Sequence, residues 1–447
     1  MMRVLIVSHT FPPDSAVGGL RIARLCRYLP ECDIHPFVLT VENGVYESVD
    51  PSVVLPCNLK VTRTRSLSTP LDWYRRLIQH RRSQNGDSGK AQGRGPNSSL
   101  ARQHLLAMLS FPDRYWGWYL PALKAAGELI RTEKVEAVFS SGPPWISHLI
   151  ARRLKLTYKL PWMADFRDPW AHLLPEKRSP GWFQRLSERL EERCIGSADL
   201  VICNTDRLRE AFQNHYSGEA PSKFRTLTNG FDDSDAYASA AAAPAPKRLF
   251  LHLGSIYGLR RIDTFLEAIS QLTGSGQLDP ESFQLVFQGE VDSDYITQAE
   301  AICPELLRKH CLEFRPRINR NQAQQVLASA DRLLLFQGSH ELQVPAKFYE
   351  YLQTGIPIFA VTEPGALTDL LQETDSGIWA SPSNSAEIAE RFLQFLQMPR
   401  RSPESLLLDI NGKFQYRQLA SRLGDWMREL VYSQQDAGLP AVVNSQA

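Results

Sequence analysis

Lys347 and Glu350 lie three residues apart in a segment that carries the signals for the start and the end of a helix. Pro345 suits the first helical turn and Gly355 suits the end, so the spacing predicts a helix of about ten residues. A lysine in the first turn, beside free backbone N–H groups, favours phosphate. Glu350, one turn deeper, could accept hydrogen bonds from a ribose diol. Spacing alone supports equally well an exposed ion pair, worth roughly a few tenths of a kcal/mol.

A glycine turn follows the apolar run Leu249 to Leu253 and supplies a second candidate anion site. Gly254 would let backbone amides approach a phosphate, and Arg260, at the start of the next predicted helix, could bind it in bidentate fashion. Tyr257 belongs to the same turn. A purely structural turn is the alternative interpretation.

Gly18 and Gly19 follow the first apolar run and open the first predicted helix. Their segment is not a GxGxxG sequence, so nicotinamide or flavin binding by the dinucleotide fingerprint is not supported. A simple turn made by the two glycines is the alternative.

Two further segments place polar and aromatic residues directly after apolar runs: Ser141 and Trp145 in one, and Asp165, Arg167, Asp168 and Trp170 in the other. Charged residues at such an edge are usually functional, because burying a charge without a partner is costly. An ion pair that only braces the loop is an equal alternative for Arg167 and Asp168. His9 and His148 are similarly placed, but a single histidine near a strand end is more often structural.

The elements that must position these residues alternate along the chain. Short apolar runs and helical periodicity follow each other throughout, which is typical of parallel sheets covered by helices. Strands are predicted at Val4–Val7, Pro36–Leu39, Ala137–Phe139, Trp162–Ala164, Leu200–Cys203, Leu249–Leu253, Phe283–Phe287, Leu333–Phe336 and Ile358–Val361. The Ala- and Pro-rich stretch Ser234 to Pro246 lacks apolar periodicity and indicates a linker. We therefore expect an α/β protein of two doubly wound, Rossmann-like domains facing a cleft.

Composition excludes several classes of partner and cofactor. The 447 residues include 50 basic and 49 acidic side chains, which gives no indication of nucleic-acid binding. Seven scattered cysteines show no zinc-ligand spacing and suggest buried thiols in a reducing compartment. The sequence shows neither an 18-residue apolar run nor a signal peptide, so we expect a cytoplasmic protein. No carboxylate pair is placed as a magnesium site, and no metal or cofactor is expected.

A basic aromatic stretch interrupts the first half. Trp73, Tyr74, Leu77 and Ile78 alternate with arginines between residues 73 and 82. This stretch could lie on the inner face of an anionic membrane, which favours a lipid-linked or polysaccharide acceptor. An ordinary solvated insertion is the alternative. The following residues 79–97 have almost no apolar side chains and predict a disordered loop.

The segment from Val344 to Ala360 resembles the nucleotide-sugar signature of the family 4 glycosyltransferases, bacterial group 1 type, which are retaining GT-B enzymes. The resemblance implies that Glu350 holds the donor ribose and that Lys347 faces the diphosphate. An acidic residue that contacts the donor sugar in most members is replaced here by Leu342.

The resemblance also covers the other segments. It implies that Arg260 neutralises the diphosphate and that Gly18 and Gly19 lie under the donor phosphates. It places Ser141, Trp145, Asp165 and Trp170 on the acceptor side. A histidine that bonds the transferred sugar in many members is replaced by Arg167, so Arg167 or Asp168 would take over that contact.

The resemblance implies this domain plan: an acceptor-side domain 1–230, a linker 231–247, a nucleotide-sugar domain 248–404, a helix 405–432 that crosses back, and a tail 433–447. The implied reaction is metal-independent hexosyl transfer from a nucleotide-sugar to a saccharide or lipid-linked acceptor in surface polysaccharide or glycolipid synthesis, with retention. Two alternatives remain: a non-catalytic protein that binds nucleotide-sugar or a partner, and a nucleotide-sugar 2-epimerase.

Overall fold

The computed structural model describes residues 1–42, 49–50, 53, 55–74, 105–106, 108–111, 113–173, 181–232, 247–258, 260–338, 340–410 and 412–436. The chain divides into two compact units. The first comprises Met1–Asn204, Leu208–Leu227 and Ala420–Ala447, and the second comprises Thr205–Arg207 and Thr228–Leu419. The predicted loop 79–97, the arginines of 75–82 and most of the predicted linker lie outside the described residues.

A seven-stranded parallel sheet forms the centre of the first unit. Its strands are β1 (Met2–Val7), β2 (Ile34–Val41), β3 (Lys60–Thr64), β4 (Ala137–Gly142), β5 (Trp162–Phe166), β6 (Leu200–Cys203) and β7 (Phe224–Thr226). Their order across the sheet is β3-β2-β1-β4-β5-β6-β7. Strands β4 and β5 are buried along their whole length, as expected of strands covered on both faces.

The helices of the first unit follow these strands in the chain. They are α1 (Val17–Tyr28), α2 (Tyr119–Glu133), α3 (Ile146–Tyr158), α4 (Gly181–Ser197), α5 (Asp206–His215) and the greater part of α14 (Tyr416–Asp436). Short 3-10 helices span Leu29–Cys32, Trp116–Trp118 and Pro221–Lys223. The last helix buries Leu423 and Met427 within this unit, with Gly424 close to Cys32.

A six-stranded parallel sheet forms the centre of the second unit, in the order β10-β9-β8-β11-β12-β13. Its strands are β8 (Arg248–Leu253), β9 (Phe283–Gln288), β10 (Leu312–Arg315), β11 (Arg332–Phe336), β12 (Ile358–Val361) and β13 (Gly377–Ala380). Successive residues of β8, Phe250 and Leu251, belong to different apolar clusters. This is the alternation expected of a strand whose two faces are both buried.

The helices of the second unit are α6 (Asp263–Gly274), α7 (Ser293–Ile302), α8 (Pro304–Arg308), α9 (Arg320–Ala328), α10 (Ala346–Leu352), α11 (Ala366–Thr374), α12 (Ser385–Leu396) and α13 (Pro403–Asp409). A 3-10 helix spans Pro280–Ser282. Among the described residues, no helix combines the length and apolarity that crossing a membrane requires.

The strand order reverses once in each sheet. In the first unit the chain runs from β1 outward to β3 and then returns to β4 on the other side of β1. In the second unit β8 and β11 are the corresponding neighbours. Ligands of doubly wound sheets bind outside the carboxyl ends of the strands at this reversal, which we call the switch point. The residues that follow β1, β4, β8 and β11 therefore lie where a ligand of such a sheet binds.

The predicted fold class is confirmed: both units are doubly wound, and all nine predicted strands are present. Four edge strands, β3, β7, β10 and β13, were missed because they are short and none is buried along its whole length. The predicted ten-residue helix is shorter, since α10 ends at Leu352. A turn follows it, and Gly355 takes a φ of +66° there.

Candidate active site

The two anion-type segments of the second unit meet at Gly254. This glycine follows β8, adopts a φ of +150°, and would place a Cβ 2.7 Å from Cε of Lys347. Lys347 lies in the first turn of α10, whose N-cap is Pro345. Only glycine suits both the backbone angle and this close approach. The lysine side chain therefore lies directly over the glycine turn after β8.

Positive charge is concentrated around Lys347. Burial lowers the pKa of its ammonium, and the neighbouring guanidinium groups of Arg320, Arg317 and Arg260 lower it further, whereas Glu350 raises it. Four cations near one partly buried turn disfavour each other until an anion neutralises them. The arrangement can therefore bind a diphosphate.

Glu350 lies one turn after Lys347 on α10 and is half-buried. Its Oε1 is 3.8 Å from Nη1 of Arg320, the first residue of α9. A pair at this distance is loose, and both side chains retain about a fifth of their surface. The carboxylate thus lies at the edge of the cationic group, in a position from which it can accept hydrogen bonds from a ligand.

Arg260 is bound to its own loop. Its Nη1 donates to the carbonyl of Ser255 at 2.8 Å, and its guanidinium lies 4.4 Å from the ring of Tyr257. Tyr257 is exposed, and Tyr295 holds the loop through a bond to the Gly258 carbonyl. The structure thus brings Gly254, Tyr257, Arg260, Lys347 and Glu350 together within the second unit.

His252 is a buried residue of this site that the sequence analysis missed. Its Nδ1 donates to the carbonyl of Leu334 on β11 at 2.9 Å. Burial lowers the pKa of His252 to about 3, so the ring is neutral and Nε2 is an acceptor. Nε2 has no partner among the described residues and lies 3.6 Å from the Cβ position of Gly254. The sequence did contain a signal for His252, because it is a polar residue within an otherwise apolar strand, two residues before Gly254.

In the first unit, Gly18 and Gly19 lie in the first turn of α1. A Cβ on Gly18 would overlap the guanidinium of Arg167, and a Cβ on Gly19 would lie 3.0 Å from the Phe11 backbone. Arg167 donates through Nε to the carbonyl of Gly142 at 3.3 Å and through Nη2 to Pro143. The glycine segment of α1 therefore contacts the segment after β5, which carries Arg167 and the half-buried Asp168.

Ser141 and Asp165 are part of a buried network. Arg21, on α1, binds both oxygens of Asp165, at 2.9 and 3.2 Å, and also donates to the carbonyl of Leu227. Ser141 Oγ donates to the same carboxylate at 2.7 Å. Arg21 is 1% exposed and Asp165 is not exposed at all. Losing one partner of such a pair would leave a buried charge, so these residues brace the strand edge.

Two tryptophans and a histidine lie beside this network. The rings of Trp145 and Trp170 stack at 5.1 Å with an interplanar angle of 11°. His148 is fully buried, its Nδ1 is 2.8 Å from Ser140 Oγ, and burial lowers its pKa to about 3. Trp145 is half-buried and offers an aromatic surface at the carboxyl edge of the sheet.

Two family profiles match the chain. The family described as Glycosyltransferase Family 4 matches residues 83–235, and the family described as Glycosyl transferases group 1 matches residues 233–406. The two matches adjoin each other, and each is similar to one part of the chain: the first to the part before residue 235 and the second to the part after residue 233. The second match spans the candidate donor residues of the second unit, from His252 to Glu350, whereas Gly18 and Gly19 lie outside both matches. No curated protein matches the chain.

Solved structures of glycosyltransferases resemble this chain over nearly its whole length. Sucrose-phosphate synthase from Thermosynechococcus elongatus is 15% identical, with a TM-score of 0.66, and the match covers 97% of this chain and 100% of that one. The lipopolysaccharide outer core galactosyltransferase WaaB is 13% identical, with a TM-score of 0.59 and coverage of 97% and 100%. HepE from Anabaena, in complex with UDP and glucose, is 14% identical, with a TM-score of 0.53 and coverage of 98% and 99%. These likenesses show the GT-B fold.

Among the described residues, no group of three or more His, Cys, Asp or Glu side chains could hold a metal ion. Metal independence stays a prediction.

Proposed function

We propose that the protein transfers a sugar from a nucleotide-diphosphate-sugar to an acceptor hydroxyl, and that its second unit binds the donor. The contact of Lys347 with Gly254 supports this most strongly, because it brings two independently predicted phosphate segments to one place. The place is the switch point of the second sheet, between β8 and β11. The HepE structure, which contains UDP and glucose, suggests UDP-glucose as the first donor to test.

In this proposal the cations stabilise the leaving group. Negative charge develops on the diphosphate as the sugar departs, and preorganised positive groups lower the energy of that state. Lys347 is half-buried and lies near three guanidinium groups that lower its pKa, so a diphosphate would relieve its unfavourable environment. Arg260 adds a second cation from the glycine turn, and Glu350 binds the ribose diol. No metal is required, and the resemblance to family 4 supports retention of configuration.

Turnover measurements on matched variants test the donor assignment. We expect Lys347→Ala and Arg260→Ala each to lower kcat about 10²- to 10³-fold, and Glu350→Ala mainly to raise the donor KM. The assay would follow nucleoside-diphosphate release from UDP-glucose and related donors, with a bacterial membrane extract as acceptor.

Lys309→Ala and Glu305→Ala, at exposed positions of the same unit, are the controls. Near-normal kinetics in all three site variants would remove the assignment, and conversion of the donor to an epimer would identify an epimerase instead.

We propose further that the first unit contacts the inner face of a membrane during glycolipid or surface polysaccharide synthesis. Exposed apolar side chains support this contact: Trp73 is 66% exposed, Leu120 65%, Met108 61% and Leu67 44%. In the sequence, Arg75 and Arg76 follow Trp73 and Tyr74. Apolar side chains beside basic ones favour an anionic lipid surface.

Liposome flotation tests the membrane contact. We expect binding to vesicles that contain phosphatidylglycerol, and its loss when Arg75, Arg76, Arg81 and Arg82 are changed to Ser. Changing the exposed Leu408 to Ser in the second unit is the control and should leave flotation unchanged. Equal flotation of the arginine variant and the wild type would contradict the proposal.

A further inference from the structure

His252 directs an unsatisfied hydrogen-bond acceptor towards the glycine turn of the second unit. The residue is 3% exposed and lies on β8, two residues before Gly254. Its Nδ1 must donate to the Leu334 carbonyl at 2.9 Å, because a carbonyl oxygen can only accept. In a neutral ring this bond leaves Nε2 as an acceptor, and Nε2 has no partner among the described residues. A buried acceptor without a donor is costly, so we expect a donor for this atom.

The surroundings of His252 keep its ring neutral. The ring packs against Phe287 and Phe336, at centroid distances of 5.9 and 5.3 Å, and these side chains offer neither a negative charge nor a polar group. Burial lowers the pKa of His252 to about 3; the bond to Leu334 raises it, and the positive charges of Lys347 and Arg260 lower it. An imidazolium would thus be buried beside two cations, so Nε2 serves as an acceptor.

The end of the Lys347 side chain lies over the same glycine as this acceptor. The Cβ position of Gly254 is 2.7 Å from Lys347 Cε, 3.2 Å from Lys347 Cδ and 3.6 Å from His252 Nε2. The ammonium nitrogen is one bond beyond Cε, and rotation about the Cδ–Cε bond moves it over the glycine turn. A deprotonated diphosphate offers only acceptors, so it cannot satisfy Nε2, whereas an ammonium can.

Lys347 suits this acceptor better than Arg260, the other cation that acts on His252. The guanidinium of Arg260 is bound within its own loop, through Nη1 to the Ser255 carbonyl at 2.8 Å and over the ring of Tyr257 at 4.4 Å. The lysine ammonium is a compact group with three protons and no acceptor capacity. One proton can bind Nε2, and two remain for an anion.

We propose that His252 is a positioning residue, whose Nε2 accepts one proton of the Lys347 ammonium and holds that group over Gly254, with two protons left for the diphosphate. Such a bond favours the charged form of Lys347 and so opposes the effects of burial and of the three neighbouring guanidinium groups. The inference rests on the proposed function for the role of the diphosphate. The bond between the two side chains needs no donor and can be measured without one.

The pKa of Lys347 in the unliganded protein tests this bond directly. NMR of the full chain with 13C-labelled lysine follows the Cε signals against pH, and the signal missing from Lys347→Arg is that of Lys347. His252→Asn keeps an N–H group for Leu334 but has no acceptor in place of Nε2, whereas His252→Gln keeps an acceptor there. We expect His252→Asn to lower the pKa of Lys347 by about one pH unit and His252→Gln to restore most of it. His310→Asn, at an exposed position of the same unit, is the control.

Titration calorimetry with UDP on the same variants links the bond to the donor site. We expect His252→Asn to weaken UDP binding about tenfold, and His252→Gln and His310→Asn to bind nearly as the wild type does. An unchanged pKa of Lys347 in His252→Asn would overturn the inference and leave His252 a structural role only. A raised pKa would overturn it too, since it would reveal a charged imidazole. If the pKa falls as expected but the wild type does not bind UDP, the bond stands and the UDP assignment of the proposed function fails.

Discussion

Gly254 is the residue on which the donor side depends most directly. Its φ of +150° is strained for any other residue, and an added Cβ would lie only 2.7 Å from Cε of Lys347. We predict that Gly254→Ala lowers the free energy of unfolding by about 1–3 kcal/mol and abolishes nucleotide binding, because the lysine must move. Gly274→Ala, at the open end of α6, is the control and should be neutral or stabilising by up to about 1 kcal/mol. Urea unfolding and calorimetric titration measure both effects, and unaltered affinity in Gly254→Ala would contradict the prediction.

Lys347 should make nucleotide binding depend on pH. Burial holds its pKa below the value of about 10.4 for an exposed lysine. Because the ammonium form binds the diphosphate, affinity should fall as pH rises through the folded-state pKa. The free energy of unfolding of the unliganded protein should rise over the same interval, since the unfolded chain then keeps a proton that the folded chain has lost.

Titration calorimetry across alkaline pH would measure this dependence. Lys347→Arg keeps its charge, so the fall in affinity should disappear from that variant, whereas Lys309→Arg should retain it. An affinity that is independent of pH in the wild type would show that the lysine does not contact the ligand.

Individual residues were predictable where a special backbone position or charge marks them. Spacing relative to helix and turn signals singled out Lys347, Glu350 and Gly254 as candidates, but only the resemblance to the family 4 glycosyltransferases favoured a phosphate site over an ion pair or a plain turn. The partner of Asp165 was not predictable, because the sequence does not distinguish Arg21 from Arg24 and Arg27 of the same helix, and its contact spans 144 residues of sequence. His9 was interpreted as a satisfied structural histidine, yet neither ring nitrogen has a hydrogen-bond partner among the described residues, and sequence does not contain this property.

Helix α9 positions Arg320 beside Glu350, and its N-terminus is closed by a capping box. The side-chain oxygen of Asn319 accepts a hydrogen bond from the backbone N–H of Gln322 at 2.9 Å, and the side-chain oxygen of Gln322 accepts one from the backbone N–H of Asn319 at 3.2 Å. We predict that Asn319→Ala costs about 1 kcal/mol of stability and weakens nucleotide binding, because the first turn of α9 loosens. Thermal unfolding and calorimetry measure the two quantities.

Asn384→Ala provides a matched control for that prediction. Asn384 caps α12 through bonds to Ala386 and Glu387 N–H groups. The Asn384→Ala variant should lose a similar amount of stability and keep its nucleotide affinity unchanged. Equal affinities in the two variants would argue against a role for α9 in the donor site.

Strands could be predicted from the sequence when they are buried, and were missed when they lie at an exposed edge. The strands β1, β4, β5 and β8 form apolar runs and were located within a few residues. Strand β3 carries Lys60 and Arg63 and lies at an edge, so it lacks an apolar signal. Edge strands need only one neighbour and one covered face, and sequence therefore marks them weakly.

At the scale of the whole molecule, the chain returns to its first unit at the end. Met427 of α14 is fully buried there. We predict that Met427→Ala lowers the free energy of unfolding of the first unit by about 2–5 kcal/mol, because a cavity remains. Since units of a large chain can unfold separately, calorimetry should show one transition lowered and the nucleotide-stabilised one unmoved. A shift of both transitions would show that the two units unfold together.

A thermal-shift screen against UDP, GDP, ADP, TDP and their sugars, with and without EDTA, tests the central claim most directly. A ligand of the folded state must raise the Tm, so binding by the second unit is visible before any acceptor is known. We predict a rise with one nucleotide that is insensitive to EDTA, is reduced in Glu350→Ala and is lost in Lys347→Ala. No rise with any nucleotide, or an equal rise in Lys347→Ala, would contradict a donor site at Lys347.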